Sequence, residues 1–180
     1  MTRIPAQTVA LALALTVCGS ALAGSVDAGD RAELAAVLKA PIRPVQAVQI
    51  AQSGGGVAYR NGMEVKPNGH WYEVDVLRGD ATLLLRIDAT TGKLLSSSPA
   101  RGEDAQGAHA LDGTKLTFDE AISHAERIGN GPALEAEAAG HGAQAYVDVD
   151  IIRDHGKQIA HYRVTIRDAV IHANLIGTDS

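Results

Sequence analysis

An α+β fold of two repeated units, each one helix packed on an antiparallel β-sheet, is predicted by three features of this 180-residue chain. Two alternating phases of side chains run through two ribbons, residues 71–88 and 147–166, each broken by turn residues. A helical pattern precedes each ribbon. A serine- and glycine-rich stretch divides the two sets, which invites alignment of one half on the other.

The chain opens on what reads as an export signal. Arg3 supplies the positive charge, Val9 to Val17 (VALALALTV) the apolar core, and Ala21 and Ala23 the small residues that a signal peptidase needs before Gly24. Residues 1–23 are therefore read as a cleaved signal peptide, and the mature protein as periplasmic or secreted. Leu15-Thr16-Val17-Cys18 matches a lipoprotein signal only in part, because Val17 stands where a small residue is wanted. Lipidation of Cys18 is the lesser alternative. Cleavage after Ala23 leaves no cysteine, which excludes disulfides, thiol catalysis and thiolate metal sites.

Composition sets further bounds. With 46% apolar residues the chain is too apolar for disorder, and no run reaches the ~20 apolar residues of a membrane span. Removal of Arg3 leaves 15 basic residues against 21 acidic ones, a formal charge of −6. Basic side chains are interspersed with acids, so nucleic acid is not an expected partner.

The elements follow in order. Residues 24–40 form an N-terminal extension with a short helix, for which Asp30 and Glu33 have capping-box spacing and Leu34, Val37 and Leu38 the apolar face. Repeat 1 covers residues 41–96. Its helix, Ile42 to Ala51, has Pro44 at a first helical position and Gly54 at the C-terminal end. Short strands at Val57–Tyr59 and Met63–Lys66 precede a hairpin in which Tyr72, Val74 and Val76 alternate with Trp71, Glu73 and Asp75, and Leu83, Leu85 and Ile87 with Thr82, Leu84 and Arg86. Gly79-Asp80 suits a type II′ turn and sets Glu73 opposite Arg86. A further strand is expected at Lys93–Leu95.

Residues 97–114 are read as a linker. Repeat 2 covers residues 115–177. Its helix begins after the capping box of Thr117 and Glu120 and carries Phe118, Ala121, Ile122, Ala125 and Ile128 as one stripe, with Gly129 as its cap. Ala133–Ala138 reads as a strand. The hairpin of Val147, Val149 and Ile151 with Tyr162, Val164 and Ile166, closed at His155-Gly156, sets Asp148 opposite Arg163 and Asp150 opposite His161. Val170–Ile176 follows as a last strand.

Residues 71 to 96, WYEVDVLRGDATLLLRIDATTGKLLS, resemble the strand-turn-strand signature of the PepSY domain. An aromatic followed by x-Val opens its first strand, and Asp88, Ala89, Thr91, Gly92 and Lys93 match the ending Asp-Ala-x-Thr-Gly-Lys. Ala47-Val48-x-x-Ala51 in the preceding helix also fits. In the second half Asp168-Ala169 is kept, while Val170-Ile171-His172-Ala173 stands in place of the turn. The resemblance implies a non-catalytic exported protein that binds another protein, with a secreted peptidase as the partner to regulate or inhibit. No peptidase domain follows in the chain, so that partner is expected in trans. An exposed sheet edge is the expected route.

Reactive groups carry less. The seven histidines include no His-x-x-x-His or His-Glu-x-x-His pair, no Gly-x-Ser-x-Gly elbow is present, and Gly54-Gly55-Gly56 opens no Lys-Ser/Thr helix. No catalytic, metal or cofactor residue is therefore assigned. Glu73 with Asp75, and Asp148 with Asp150, share strand faces and read as a solvated surface held by cross-strand ion pairs. Tyr59, Trp71 and Tyr72 are the candidate partner-contact residues, aromatics being strong contributors at interfaces. The alternative function, from another class, is binding of a small ligand or metal in the envelope, in the groove between helix and sheet.

Overall fold

The computed structural model describes residues 28–180. The proposed cleavage residues Ala21, Ala23 and Gly24, and Cys18, lie outside the described residues. Three α-helices run Ala28–Lys39 (α1), Pro44–Ser53 (α2) and Phe118–Gly129 (α3). Eight strands run Val57–Lys66 (β1), Gly69–Arg78 (β2), Ala81–Asp88 (β3), Leu94–Pro99 (β4), Ala133–Ala139 (β5), Tyr146–Arg153 (β6), Gln158–Arg167 (β7) and Val170–Asp179 (β8).

These strands form one antiparallel sheet in the order β4-β3-β2-β1-β5-β6-β7-β8. This corrects the expected fold class of two repeated helix-on-sheet units. β1 pairs with β5 through Arg60 with Glu137 and Asn61 with Ala136, so the sheet is continuous and its buried residues form one cluster. The physical reason lies in sheet edges. Two separate sheets would expose four rows of unmatched main-chain groups, and joining β1 to β5 satisfies part of two of them.

Within the sheet, turn chemistry and alternation set the registers as read. Glu73 stands opposite Arg86, Asp148 opposite Arg163 and Asp150 opposite His161. Gly79 takes φ 60°, as the leading residue of a type II′ turn must. The β6–β7 loop keeps its register but is wider than two residues, spanning residues 154–157 with positive φ at Asp154, His155 and Gly156.

α2 and α3 cover one face of the sheet. Ala47, Val48 and Ala51 of α2, with Phe118, Ala121, Ile122 and Ala125 of α3, bury against Tyr72, Val74, Val76, Val147, Val149 and Ile151. The α3 stripe departs from its reading at one end. Ile128 is 49% exposed, and Gly129 lies on the sheet side instead, because a Cβ there would stand 2.7 Å from Ile151 Cγ2. The αL cap is Asn130, one residue later than expected. α1 already includes Asp30, so it starts ahead of the predicted cap.

Two segments fill the ends of the β1–β5 seam. α1 packs on β1 and β5 and buries Leu34 and Val37. At the other end, the stretch read as a linker buries Ala108, Ala110 and Leu111 in the same cluster, and Gly107 lies against the Ala138 carbonyl and the Tyr59 ring.

Candidate functional site

The face of the sheet opposite α2 and α3 holds a cavity of about 330 Å³ beside the β1–β5 seam. Its lining draws on β2, β1, β5, β6, β7 and β8, with Glu33 from α1. Strand neighbours stand ~4.8 Å apart, so a single pocket touching six of them requires the sheet to curve around it. Seven carboxylates line it, from Glu33, Glu64, Glu73, Asp75, Glu135, Asp150 and Asp179, against one guanidinium (Arg60) and one imidazole (His161). Negative charge is in excess whether or not His161 is protonated. The lining contains no serine, threonine, cysteine or lysine. Among the described residues no group of three His, Cys, Asp or Glu side chains is arranged to hold a metal ion.

Local pairing organises these charges. Arg60 reaches toward Asp75 and Glu135 at 3.9 Å each, which places one cation across β2, β1 and β5. His161 lies between two acids, with Nδ1 2.6 Å from Asp150 Oδ1 and Nε2 3.1 Å from Asp179 Oδ2. Burial raises the Asp150 carboxyl above its ordinary range, partly offset by the His161 hydrogen bond. Burial pulls the His161 imidazole down, but the bonds and charges of Asp150 and Asp179 outweigh it and the net direction is up.

Each hairpin carries the same polar device on this face. Arg86 lies over the Trp71 ring, 5.3 Å from its centroid, and donates Nε–H to Glu73 at 2.9 Å; Trp71 Nε1–H donates to the same oxygen at 3.2 Å. Arg163 lies 3.9 Å from the Tyr146 centroid and grips Asp148 with two bonds of 2.8 and 2.7 Å. The strand spacing aromatic-x-acid, with arginine directly across, was the available signal for this stacking.

The three aromatic candidates do not share a surface. Tyr59 and Tyr72 are fully buried, and Tyr72 O–H donates to the Ile42 carbonyl at 2.8 Å. Trp71 is half-buried on the opposite face. Of the two carboxylate pairs, Glu73 and Asp75 both reach the cavity, while the other divides: Asp150 reaches it and Asp148 is held by Arg163. Asp75 is 2% exposed, so its part of the face is buried rather than solvated. Glu135 carried no sequence signal, because its partner Arg60 comes from a strand far away in the chain, and Asp179 lies beyond Ile176, where the last strand was expected to end.

The residues behind the PepSY resemblance build a turn. Asp88 Oδ1 accepts from the backbone N–H groups of Thr90 and Thr91 and from the Thr91 hydroxyl, which holds its carboxyl below the usual range. Gly92, at φ 70°, meets Ile50 and Ile42 beside α2.

Asn61, at the seam, is fully buried, and neither of its side-chain polar atoms has a hydrogen-bond partner among the described residues. An unmatched buried amide costs ~1–3 kcal/mol. Asn61→Leu is accordingly expected to raise stability by ~1–2 kcal/mol in urea denaturation; an unchanged or lower midpoint contradicts this.

The sheet ends in two edges that both expose apolar side chains, Leu94 and Leu95 on β4 at 56% and 52%, but differ in length and in how they are blunted. β4 is short and finishes in Ser96-Ser97-Ser98-Pro99. β8 runs for 10 residues, contains no Lys, Arg or Pro, and leaves Val170, Leu175 and Ile176 more than half exposed at 53–54%. Pro and Lys are the residues that ordinarily blunt an edge.

No family model matches the sequence, and no curated protein matches it. Among solved structures, the chain is similar to a "putative lipoprotein" from Clostridium difficile 630, with TM-score 0.41 and 18% identity over 77% of this chain and 95% of that one. A likeness of that size bears on neither family membership nor function. The PepSY resemblance rests on the residues alone. Among the described residues no helix is long and apolar enough to cross a membrane.

Proposed function

We propose that this chain is an exported, non-catalytic protein that binds another protein by taking an extended segment of it along β8. The open β8 edge is the observation that carries the reading. Half of its main-chain groups face outward, where an added strand satisfies them, and Val170, Leu175 and Ile176 offer apolar contacts to alternate side chains. Export rests on residues 1–23 with Ala21 and Ala23 before Gly24. The secreted peptidase as partner rests on the PepSY resemblance.

The test titrates residues 24–180 into secreted metallopeptidases of the same host, reading activity and complex formation by gel filtration. A complex with reduced activity is expected, weakened at least ~ten-fold by Leu175→Lys with Ile176→Lys, because a lysine-bearing edge resists strand addition. No complex and no loss of activity removes the peptidase; equal binding by the double variant moves the contact away from β8. The acid-lined cavity favours a second reading, binding of a small organic cation, and calorimetric titration with a diamine tests it.

A further inference from the structure

We infer that His161 is a protonation-dependent latch that fastens the C-terminal end of β8 to the sheet. The inference rests on the geometry around His161 and holds whatever binds β8. Asp179 pairs with Ile159 in the β7–β8 register, diagonal to His161, so the Nε2 contact ties the last residues of β8 to β7. The Nδ1 contact ties the same ring to Asp150 of β6. One side chain thus spans three strands.

Only the imidazolium can serve both acids as a donor. It has two N–H groups and uses one on each carboxylate; the neutral ring has one. The shorter Asp150 contact, 2.6 Å against 3.1 Å, is the one the neutral ring keeps. Asp179 then faces a ring lone pair. The other charged groups lining the cavity are acids apart from Arg60: Glu64 of β1 is held by Lys66, Glu73 of β2 by Arg86, Arg60 reaches toward Asp75 of β2 and Glu135 of β5, and Glu33 comes from α1. Asp148, next on β6, is engaged by Arg163.

The sign follows from the direction of the His161 shift. Folding raises its pKa, so the stabilisation is complete below the ordinary histidine value of ~6.5 and is lost as pH rises through the higher folded value. Loss of a charge-assisted hydrogen bond corresponds to about ten-fold in local opening.

Amide hydrogen exchange of residues 24–180, normalised for intrinsic exchange, is measured from pH 6 to pH 9 beside an NMR titration of His161. Protection of Gly177, Thr178 and Asp179 is expected to fall about ten-fold as pH rises, with a midpoint at the His161 titration and above ~6.5, while Ile171–Ala173 holds. His161→Gln is expected to leave low, pH-independent protection at the same amides. Flat protection in the parent protein, the same fall in His161→Gln, or a His161 midpoint below ~6.5 overturns the latch.

Discussion

Phe118→Ala is expected to cost about 3–5 kcal/mol of stability and to shift a single unfolding transition that Trp71 reports as fully as any other probe. Phe118 is among the largest fully buried side chains and opens α3, which touches α2 and strands β1, β5, β6, β7 and β8. Removing its ring leaves a cavity in a core that both halves share. Trp71 sits on β2, in the other half of the sheet, so its fluorescence tests whether the damage crosses the seam. Chemical denaturation followed by tryptophan fluorescence and by far-ultraviolet circular dichroism is expected to give coincident midpoints, both lowered. A Trp71 transition that stays in place while the dichroism midpoint falls means that the halves unfold independently.

Gly131→Ala is expected to cost about 2–4 kcal/mol, although it adds one methyl group. The chain leaves α3 through Gly131 and clips at once onto the end of β6, where Ile152 N–H donates to the Pro132 carbonyl at 2.9 Å. A Cβ on Gly131 would stand far inside van der Waals contact distance of the Ile152 carbonyl oxygen, with Ile151 Cγ2 at 3.3 Å behind it. Backbone blocks it on one side and core on the other, so no rotamer relieves the overlap. Gly62→Ala is the control, since nothing lies within 4 Å of a Cβ there, and it is expected to change stability by less than ~0.5 kcal/mol. Equal urea midpoints for the two variants contradict the close approach of the α3 exit to β6.

Local features were legible because each has a local cause. Gly79-Asp80 fixes one hairpin, and the valine phases around residues 155–156 hold the register of the other even though its loop opens wider. A one-residue slip would expose Val147, Val149 and Val164 together. The α3 stripe was legible for the same reason up to Ala125. It failed at Ile128 because the helix approaches the sheet too closely there for a side chain at position 129, and the face turns accordingly.

The joining of the halves was not legible. It rests on two residue pairs, Arg60 with Glu137 and Asn61 with Ala136, which no turn encodes and no periodicity marks. The cavity follows from that joining, so its membership was hidden too. Glu73 and Asp150 were visible as members of separate acidic pairs, but only a continuous sheet brings them into one pocket with Asp179. The serine- and glycine-rich stretch misled through composition, because Ala108 and Ala110 are small enough to pack at the seam without any apolar pattern. Burial of Tyr59 and Tyr72 follows from strand phase for Tyr72 and from the β1 irregularity between Ala58 and Arg60 for Tyr59.

The most direct test of the binding surface is selection of displayed random peptides, long enough to span β8, on immobilised residues 24–180. Recovered peptides are expected to slow amide exchange along Val170–Asp179 and to lose at least ~ten-fold in affinity for the Leu175→Lys, Ile176→Lys variant. Peptides that bind both proteins equally and leave β8 exchange unchanged, or a selection that yields no binder, would contradict an edge open to strand addition.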